Sequence, residues 1–274
     1  MYATTTQINQ IGEWYEKKYI KFLLLESLKD RELAFLGTNN CNVRALRGKC
    51  LYDLETAFKL VNWCKNKPNM YRSVAKIKNI PNFTFNPKQR SSQTILWYEN
   101  EFDKDIYEYD IFGDFDGNDE TELMQVLEEV KELKVYLDNY QVPYYIQASG
   151  KKGFHLFIPG EYIPIEKIDN GVIYPHKTIL ENIKEMFSFK YMDLAHAGVG
   201  NKLCKVPYSL VGENVVLPLS DEQINNFSPE MIRIDKVLNN IPLIRRGVLE
   251  RFQELSFEQK KKNVKNFIRS ITFK

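Results

Sequence analysis

The sequence has no charge bias: 38 Lys and Arg stand against 36 Asp and Glu over 274 residues, a formal net charge of +2. No global preference for an acidic or a basic partner follows from it. Long hydrophobic runs are absent too. The longest candidate, Phe22-Leu23-Leu24-Leu25, stops at Glu26, far short of the roughly 18 to 20 apolar residues that cross a bilayer, so no membrane association is expected. The opening Met1-Tyr2-Ala3-Thr4-Thr5-Thr6-Gln7 lacks a basic stretch followed by an apolar one, so no secretory signal is read and a cytoplasmic location is expected. Cysteine is scarce. Cys41, Cys50, Cys64 and Cys204 show neither CxxC spacing nor the density of a disulfide scaffold, which fits reduced, mostly buried thiols. A zinc site built from Cys41, Cys50 and Cys64 would need a fourth ligand that the neighbouring sequence does not supply, so no zinc is expected. No internal repeat and no Gly/Ser-rich or Pro-rich linker divides the chain.

What the chain does have is material for a core: 43% apolar residues and 36 aromatics, 17 Phe, 16 Tyr and 3 Trp. That composition excludes a disordered chain. Trp14, Tyr15, Tyr19, Phe22 and Leu23 are spaced for one face of an N-terminal helix, and Leu51, Leu54, Phe58 and Val61 for a second over Leu51 to Cys64. Residues 79–93, with Pro81 and Pro87, read as an exposed loop. From Thr94 the pattern becomes β-rich, ending in the strand Tyr107 to Asp116 at Gly117-Asn118. Asp119 to Tyr140 then reads as a helix with the stripe Leu123, Val126, Leu127, Val130, Leu133 and Leu137. Strand, turn, long helix, strand is a βαβ signature. Tyr144 to Ala148 and Phe154 to Ile158, joined by Ser149-Gly150-Lys151-Lys152-Gly153, read as a hairpin. A helix from about Lys177 to Phe189, strand and turn over Leu203 to Leu219, and a mostly helical tail from Asp221 to Lys274 complete the pattern. The fold class is α+β.

Three elements carry chemistry. Strand alternation places Asp114 and Asp116 on one face, with Cα atoms about 6 to 7 Å apart, and paired carboxylates at a strand end suit Mg²⁺ or Mn²⁺. The surrounding stretch from Glu99 to Glu132 holds fourteen acids and two bases, a net of −12; the plain alternative is an acidic, solvated loop. In Ser149-Gly150-Lys151-Lys152-Gly153-Phe154-His155, two glycines allow close backbone approach to an anion, while Ser149, Lys152 and His155 supply a hydroxyl, a charge and a donor. The alternative is a Gly-containing hairpin with a half-exposed His. Asp193 is followed by Lys202-Leu203-Cys204-Lys205-Val206-Pro207-Tyr208-Ser209, which offers a third carboxylate and two more cations. His176 and His196 have no such company and read as surface or structural residues.

In this order the three elements resemble the archaeo-eukaryotic primase (AEP) superfamily, whose hallmarks are a DxD, an SGxxGxH and a later lone Asp followed by a basic-x-Pro-x-Ser segment. Upstream, Trp14-Tyr15-Glu16-Lys17-Lys18-Tyr19, Arg31-Glu32-Leu33-Ala34-Phe35, Val43-Arg44-Ala45-Leu46 and Met70-Tyr71-Arg72-Ser73-Val74-Ala75 look like the catalytic small subunit of archaeal primases. The resemblance covers roughly residues 12–219. It implies an AEP primase fold: an N-terminal α/β module over about 1–93 packed on an RRM-like catalytic β-sheet module over about 94–219, with 220–274 as a helical C-terminal extension.

By motif, the resemblance implies that Asp114, Asp116 and Asp193 are the catalytic residues and hold two divalent ions, Mg²⁺ or Mn²⁺, while Ser149, Gly150, Lys152, Gly153, His155 and Lys205 bind the nucleotide. The implied activity is template-dependent nucleotidyl transfer that makes or extends primers on single-stranded DNA from NTPs or dNTPs. Two alternatives stand beside it: a repair polymerase like the polymerase domain of bacterial end-joining ligases, and a catalytically silent primase-like subunit. The chain departs from the family by carrying Lys at 152, 202 and 205 where Arg is usual, and by having no Cys or His between Gly117 and Tyr140. It looks closer to compact primase-polymerases of plasmids, viruses or CRISPR systems, which implies replication, plasmid, viral or CRISPR-associated partners. Residues 251–274, with seven bases and two acids, are either a solvated helix face or a surface that tracks a nucleic-acid backbone.

Overall fold

A computed structural model of the chain describes residues 13–36, 69–78, 102–163, 166–168, 171–173, 175–195, 197–198, 202–238, 240 and 253–272. The expected helix over Leu51 to Cys64, the loop at 79–93, the Val43–Leu46 segment, His196 and three of the four cysteines lie outside the described residues. The long helices are α1 (Lys18–Leu28), α2 (Leu123–Asn139), α3 (His176–Phe187) and α4 (Phe257–Thr272). The strands are β1 (Leu33–Leu36), β2 (Asn69–Ser73), β3 (Ala75–Ile77), β4 (Ile106–Tyr109), β5 (Ile111–Asp116), β6 (Tyr145–Ala148) and β7 (Gly153–Ile158). They continue with β8 (Glu166–Ile168), β9 (Gly171–Ile173), β10 (Met192–Asp193), β11 (Leu203–Lys205), β12 (Leu210–Val211), β13 (Asn214–Val215) and β14 (Leu217–Leu219).

The central sheet has the order β10-β5-β7-β6-β14, antiparallel at every step. The expected βαβ unit is there in split form. β5 and β6 flank α2 in sequence, but β7 inserts between them, so the two parallel strands never touch. One face is apolar: Ile111 and Phe115 of β5 are buried against the α2 stripe, all six of whose predicted residues are buried. At roughly 1.5 to 3 kcal/mol for each large side chain removed from water, this stripe is the main adhesive between helix and sheet. α3 and α4 complete that layer, with Phe267 of α4 lining one small cavity together with Ile111, Leu156 and Ile158. The exposed lysines of α4, Lys261, Lys262 and Lys265, therefore sit behind the sheet, on the side away from Asp114 and Asp116.

The other face of β5, β7 and β6 is covered by a second sheet, β1-β2-β11, and by the β3–β4 pair. Val74, Ala75, Ile77, Tyr109, Phe112, Phe157 and Cys204 form a smaller core there. Buried polar bonds tie it down: the Arg31 guanidinium meets Asp110 Oδ2 at 2.7 Å and also donates to the Ser73 and Val74 carbonyls.

The N-terminal helix departs from the face read in the sequence. Lys17 is extended (φ −64°, ψ 120°) and breaks the helix after residue 16, which resets its phase. Ile20, Leu23, Leu24 and Leu28 are buried, while Phe22 is 47% exposed. Trp14 and Tyr15, before the break, grip the segment after β11: the Trp14 indole donates to the Tyr208 carbonyl at 3.0 Å, and the Leu210 amide donates to the Tyr15 hydroxyl at 2.9 Å.

Candidate active site

Register brings the predicted residues together. Asp193 of β10 lies opposite Asp114 of β5, Asp114 opposite His155 of β7, and His155 opposite Gln147 of β6. Cross-strand partners share a face with Cβ atoms about 4.5 to 5.5 Å apart, so these four side chains form one row across the sheet. Exposure falls along it. Asp193 is exposed, the Asp114 side chain is 20% exposed, His155 is nearly buried and Gln147 is fully buried. Asp116, two residues beyond Asp114 on the same face, opens the next row opposite Gly153.

Two lysines and a histidine face the carboxylates. Lys202 Nζ is 3.4 Å from Asp114 Oδ2, and His155 Nε2 is 3.5 Å from Asp114 Oδ1. Lys152 Nζ is 3.8 Å from Asp116 Oδ2 and donates to the Gly117 carbonyl at 2.7 Å. Burial pushes the Asp114 carboxyl above the usual carboxylate range; Lys202 pulls it back and the charge of Asp193 pushes it further. Burial likewise raises Asp116, helped by Asp114 and opposed by Lys205 and Lys152. Burial lowers the Lys205 ammonium against the pull of Asp116 and Asp114, and its Nζ donates to the Ser149 carbonyl at 2.9 Å. His155 is pushed well below its ordinary value by burial and by the charges of Lys205, Lys202 and Arg72, which keeps the ring neutral at neutral pH.

The glycines of the loop do different work. Gly150 has φ +88°, a conformation that turns the chain and that side chains avoid. Gly153 has no such need. A Cβ there would lie 2.1 Å from the Phe115 carbonyl oxygen and 2.2 Å from Asp116 Oδ1, so glycine is what lets Asp116 lie against the hairpin. The Ser149 hydroxyl is buried with no hydrogen-bond partner among the described residues, which leaves its donor available to a ligand. Ser209 closes a local turn by donating to the Val206 carbonyl at 2.7 Å. His176 is buried and structural: its Nε2 bonds the Tyr109 carbonyl at 2.9 Å.

Among the described residues no three His, Cys, Asp or Glu side chains form a ready metal-binding group. Mg²⁺ is rarely held by protein groups alone; it takes one or two carboxylates and fills its shell with water and phosphate oxygens. The donor chemistry fits: carboxylates at neighbouring strand positions, with Asp114 raised in part by the charge of Asp193 and Asp116 by that of Asp114, and with lysine ammoniums 3.4 and 3.8 Å from them.

Sequence reasoning offered Lys202 only as a further cation for phosphate, and gave Tyr71 and Gln147 no site role. Lys202 touches Asp114 directly, and its place three residues before Lys205 was visible. Tyr71 lies opposite Lys205 and feels the charges of Asp114 and Asp116, although burial is the main cause of its raised phenol. Gln147 was legible only as a polar residue inside an apolar strand.

No family model matches this sequence, and no curated protein sequence matches it. Among solved structures, the polymerase domain of Mycobacterium tuberculosis Ligase D in complex with DNA is similar in three dimensions. The TM-score is 0.53 at 14% sequence identity, and the match covers 88% of this chain and 91% of that chain. The likeness is one of fold, and the chain shares the overall architecture of that polymerase domain.

Proposed function

We propose that the protein is a template-dependent nucleotidyltransferase of the AEP type, a primase-polymerase that makes or extends primers on single-stranded DNA from NTPs or dNTPs. The observation that carries this reading is the row Asp193–Asp114–His155, with Asp116 and Lys152 in the next row and Ser149 and Lys205 beside its buried end. The strand order β10-β5-β7-β6 is the arrangement an RRM-like catalytic module needs, and the polymerase-domain fold supports the same class. The module boundaries near residues 93 and 219 belong to this proposal.

In this reading, Mg²⁺ or Mn²⁺ held by Asp114, Asp116 and Asp193 would activate the primer 3′-hydroxyl and neutralise charge on the pyrophosphate leaving group. The chain's own groups bind and orient the triphosphate. Ser149 Oγ and neutral His155 donate to phosphate oxygens, and Lys152 and Lys205 offset their charge. Lysine does so as a point charge without the bidentate fork of arginine. Lys205 also fixes the Ser149 carbonyl, so the loop arrives preorganised.

The polymerase-domain neighbour favours an end-joining-type repair polymerase equally. A catalytically silent subunit is disfavoured by retention of all three acids with the Ser and His. Labelled NTPs and dNTPs are offered on single-stranded DNA with and without a primer, in Mg²⁺ or Mn²⁺. Metal-dependent incorporation that Asp114→Ala and Asp116→Ala abolish is the expected result. Incorporation only with a primer removes primer synthesis and leaves extension, the outcome that the repair-polymerase reading requires; none under any condition sinks both.

A further inference from the structure

Gln147 is fully buried in the middle of β6, where an amide is costly unless its donors and acceptor are met. Its Nε2 makes two bonds, to the Lys205 carbonyl oxygen at 3.1 Å and to His155 Nδ1 at 2.9 Å. Its Oε1 has no partner. Amide orientation follows from chemistry here. The Lys205 oxygen can only accept, so the amide edge facing it must be the NH₂ group. The reversed amide would set oxygen against oxygen. The second N–H of the same group then points at His155 Nδ1, which must offer a lone pair. The imidazole proton is thereby placed on Nε2, the nitrogen that faces Asp114 Oδ1 at 3.5 Å and the open end of the site.

We propose that Gln147 is a positioning residue of the nucleotide site, holding His155 as the Nε2–H tautomer so that the ring presents a donor to phosphate oxygens. The inference rests on the nucleotidyltransferase reading for the identity of the ligand. Phosphate oxygens accept hydrogen bonds; an Nε2 lone pair would repel them. The same amide nitrogen is anchored on the backbone of Lys205, so one buried group on β6 couples the donor setting of the histidine to the strand that carries the lysine. Asp193, Asp114 and His155 meet the ligands, and Gln147 sets the last of them from beneath. The unpartnered Oε1 makes sense on this account, since the residue is kept for what its nitrogen does.

The test begins with nucleotide-free wild-type protein labelled with ¹⁵N-histidine. The chain has three histidines, and loss of one spin system in His155→Ala identifies the ring. Two-bond ¹H–¹⁵N correlations should show a neutral ring protonated on Nε2. A ring protonated on Nδ1, or on both nitrogens, at neutral pH overturns the proposal and needs no folded variant. Gln147→Leu removes both donors at similar volume. It should give a mixed tautomer signal and weaken binding of Mg-ATP and Mg-dATP, measured without template, by about tenfold or more, as expected for losing a bond to a charged acceptor. The double variant Gln147→Leu/His155→Ala decides the route. If Gln147 acts through the histidine, the second substitution adds less than about twofold to the loss in His155→Ala. A full additive loss means that Gln147 only places β11, and overturns the proposal. A wild-type ring correctly set in a protein that binds neither nucleotide overturns the nucleotidyltransferase reading instead, and with it the ligand of the proposal.

Discussion

Replacing Gly153 by alanine tests the geometry of the site most sharply, because the perturbation is one methyl group and its neighbours are known. The new Cβ would sit 2.1 Å from the Phe115 carbonyl oxygen and 2.2 Å from Asp116 Oδ1. Ordinary contact needs about 1 Å more. Neither neighbour is a flexible chain end: one is backbone of β5 and the other a short carboxylate on the same strand. Gly153 and Asp116 form the last pair between β5 and β7, so relief comes by prising that end apart and shifting Asp116 by roughly 1 Å. Misplacement on that scale costs about 100-fold in rate, and the overpacking costs about 1 to 3 kcal/mol of stability. Single-turnover primer extension and urea denaturation on the same preparation measure the two effects. Gly212→Ala is the control. Its φ is +64° and no atom lies within 4 Å of the added methyl, so it should cost about 1 to 2 kcal/mol of backbone strain and leave extension unchanged. Gly153→Ala extending primers within twofold of wild type would refute the assignment of Asp116.

Four further outcomes are expected. Asp114→Asn should abolish extension yet raise the melting temperature at neutral pH. Burial lifts this carboxyl's proton affinity above its unfolded value, so its stabilising contribution is full below the ordinary range near about 4 and is lost as pH rises through the raised value. The variant should flatten that slope, and an unchanged or lower melting temperature at pH 7 counts against it. Lys205→Ala should weaken nucleotide binding by about tenfold to a hundredfold, since it removes a charged hydrogen bond worth roughly 1.5 to 3 kcal/mol from the phosphate cradle; unchanged titrations with Mg-dATP would remove Lys205 from the site. Arg31→Met leaves the Asp110 carboxylate, only 3% exposed, without its partner, and chemical denaturation should report a loss of about 3 to 5 kcal/mol. Replacing Lys261, Lys262 and Lys265 together by Gln should leave primer extension at moderate salt within twofold, because α4 lies behind the sheet; a large drop would restore the backbone-tracking reading of the tail.

What the sequence made legible follows its periodicities. The β6–β7 hairpin is placed to within a residue and the end of α2 likewise, while the start of α2 falls at Leu123 rather than Asp119 because Glu120–Glu122 form a 3-10 turn, and every apolar residue of the stripe is buried. Helix phase is less forgiving. One extended residue at Lys17 rotates α1 and turns Phe22 outward, which no spacing argument anticipates. The carboxylates were legible as residue types, but their assembly was not. β10 is two residues long, and its pairing with β5 joins positions 79 apart in the chain, Asp114 and Asp193. Such register is a tertiary property that local pattern does not encode. Gly153 was read as room for an anion, whereas the nearest atoms belong to Asp116 and Phe115. Gln147 is invisible to composition because a polar residue in a strand ordinarily signals the wet face, and here it marks a buried seam between two sheets.

That seam has a mechanical meaning. The carboxylates and the histidine belong to the β10-β5-β7-β6-β14 sheet, while Lys202 precedes and Lys205 ends β11, a strand of the other sheet. A triphosphate held by groups from both would work as a clamp, tying one sheet to the other when the site is occupied. Amide protons of β2 and β11 would then exchange more slowly when the clamp is closed, so that occupancy of the site is written into the breathing of strands that never touch the reacting bond.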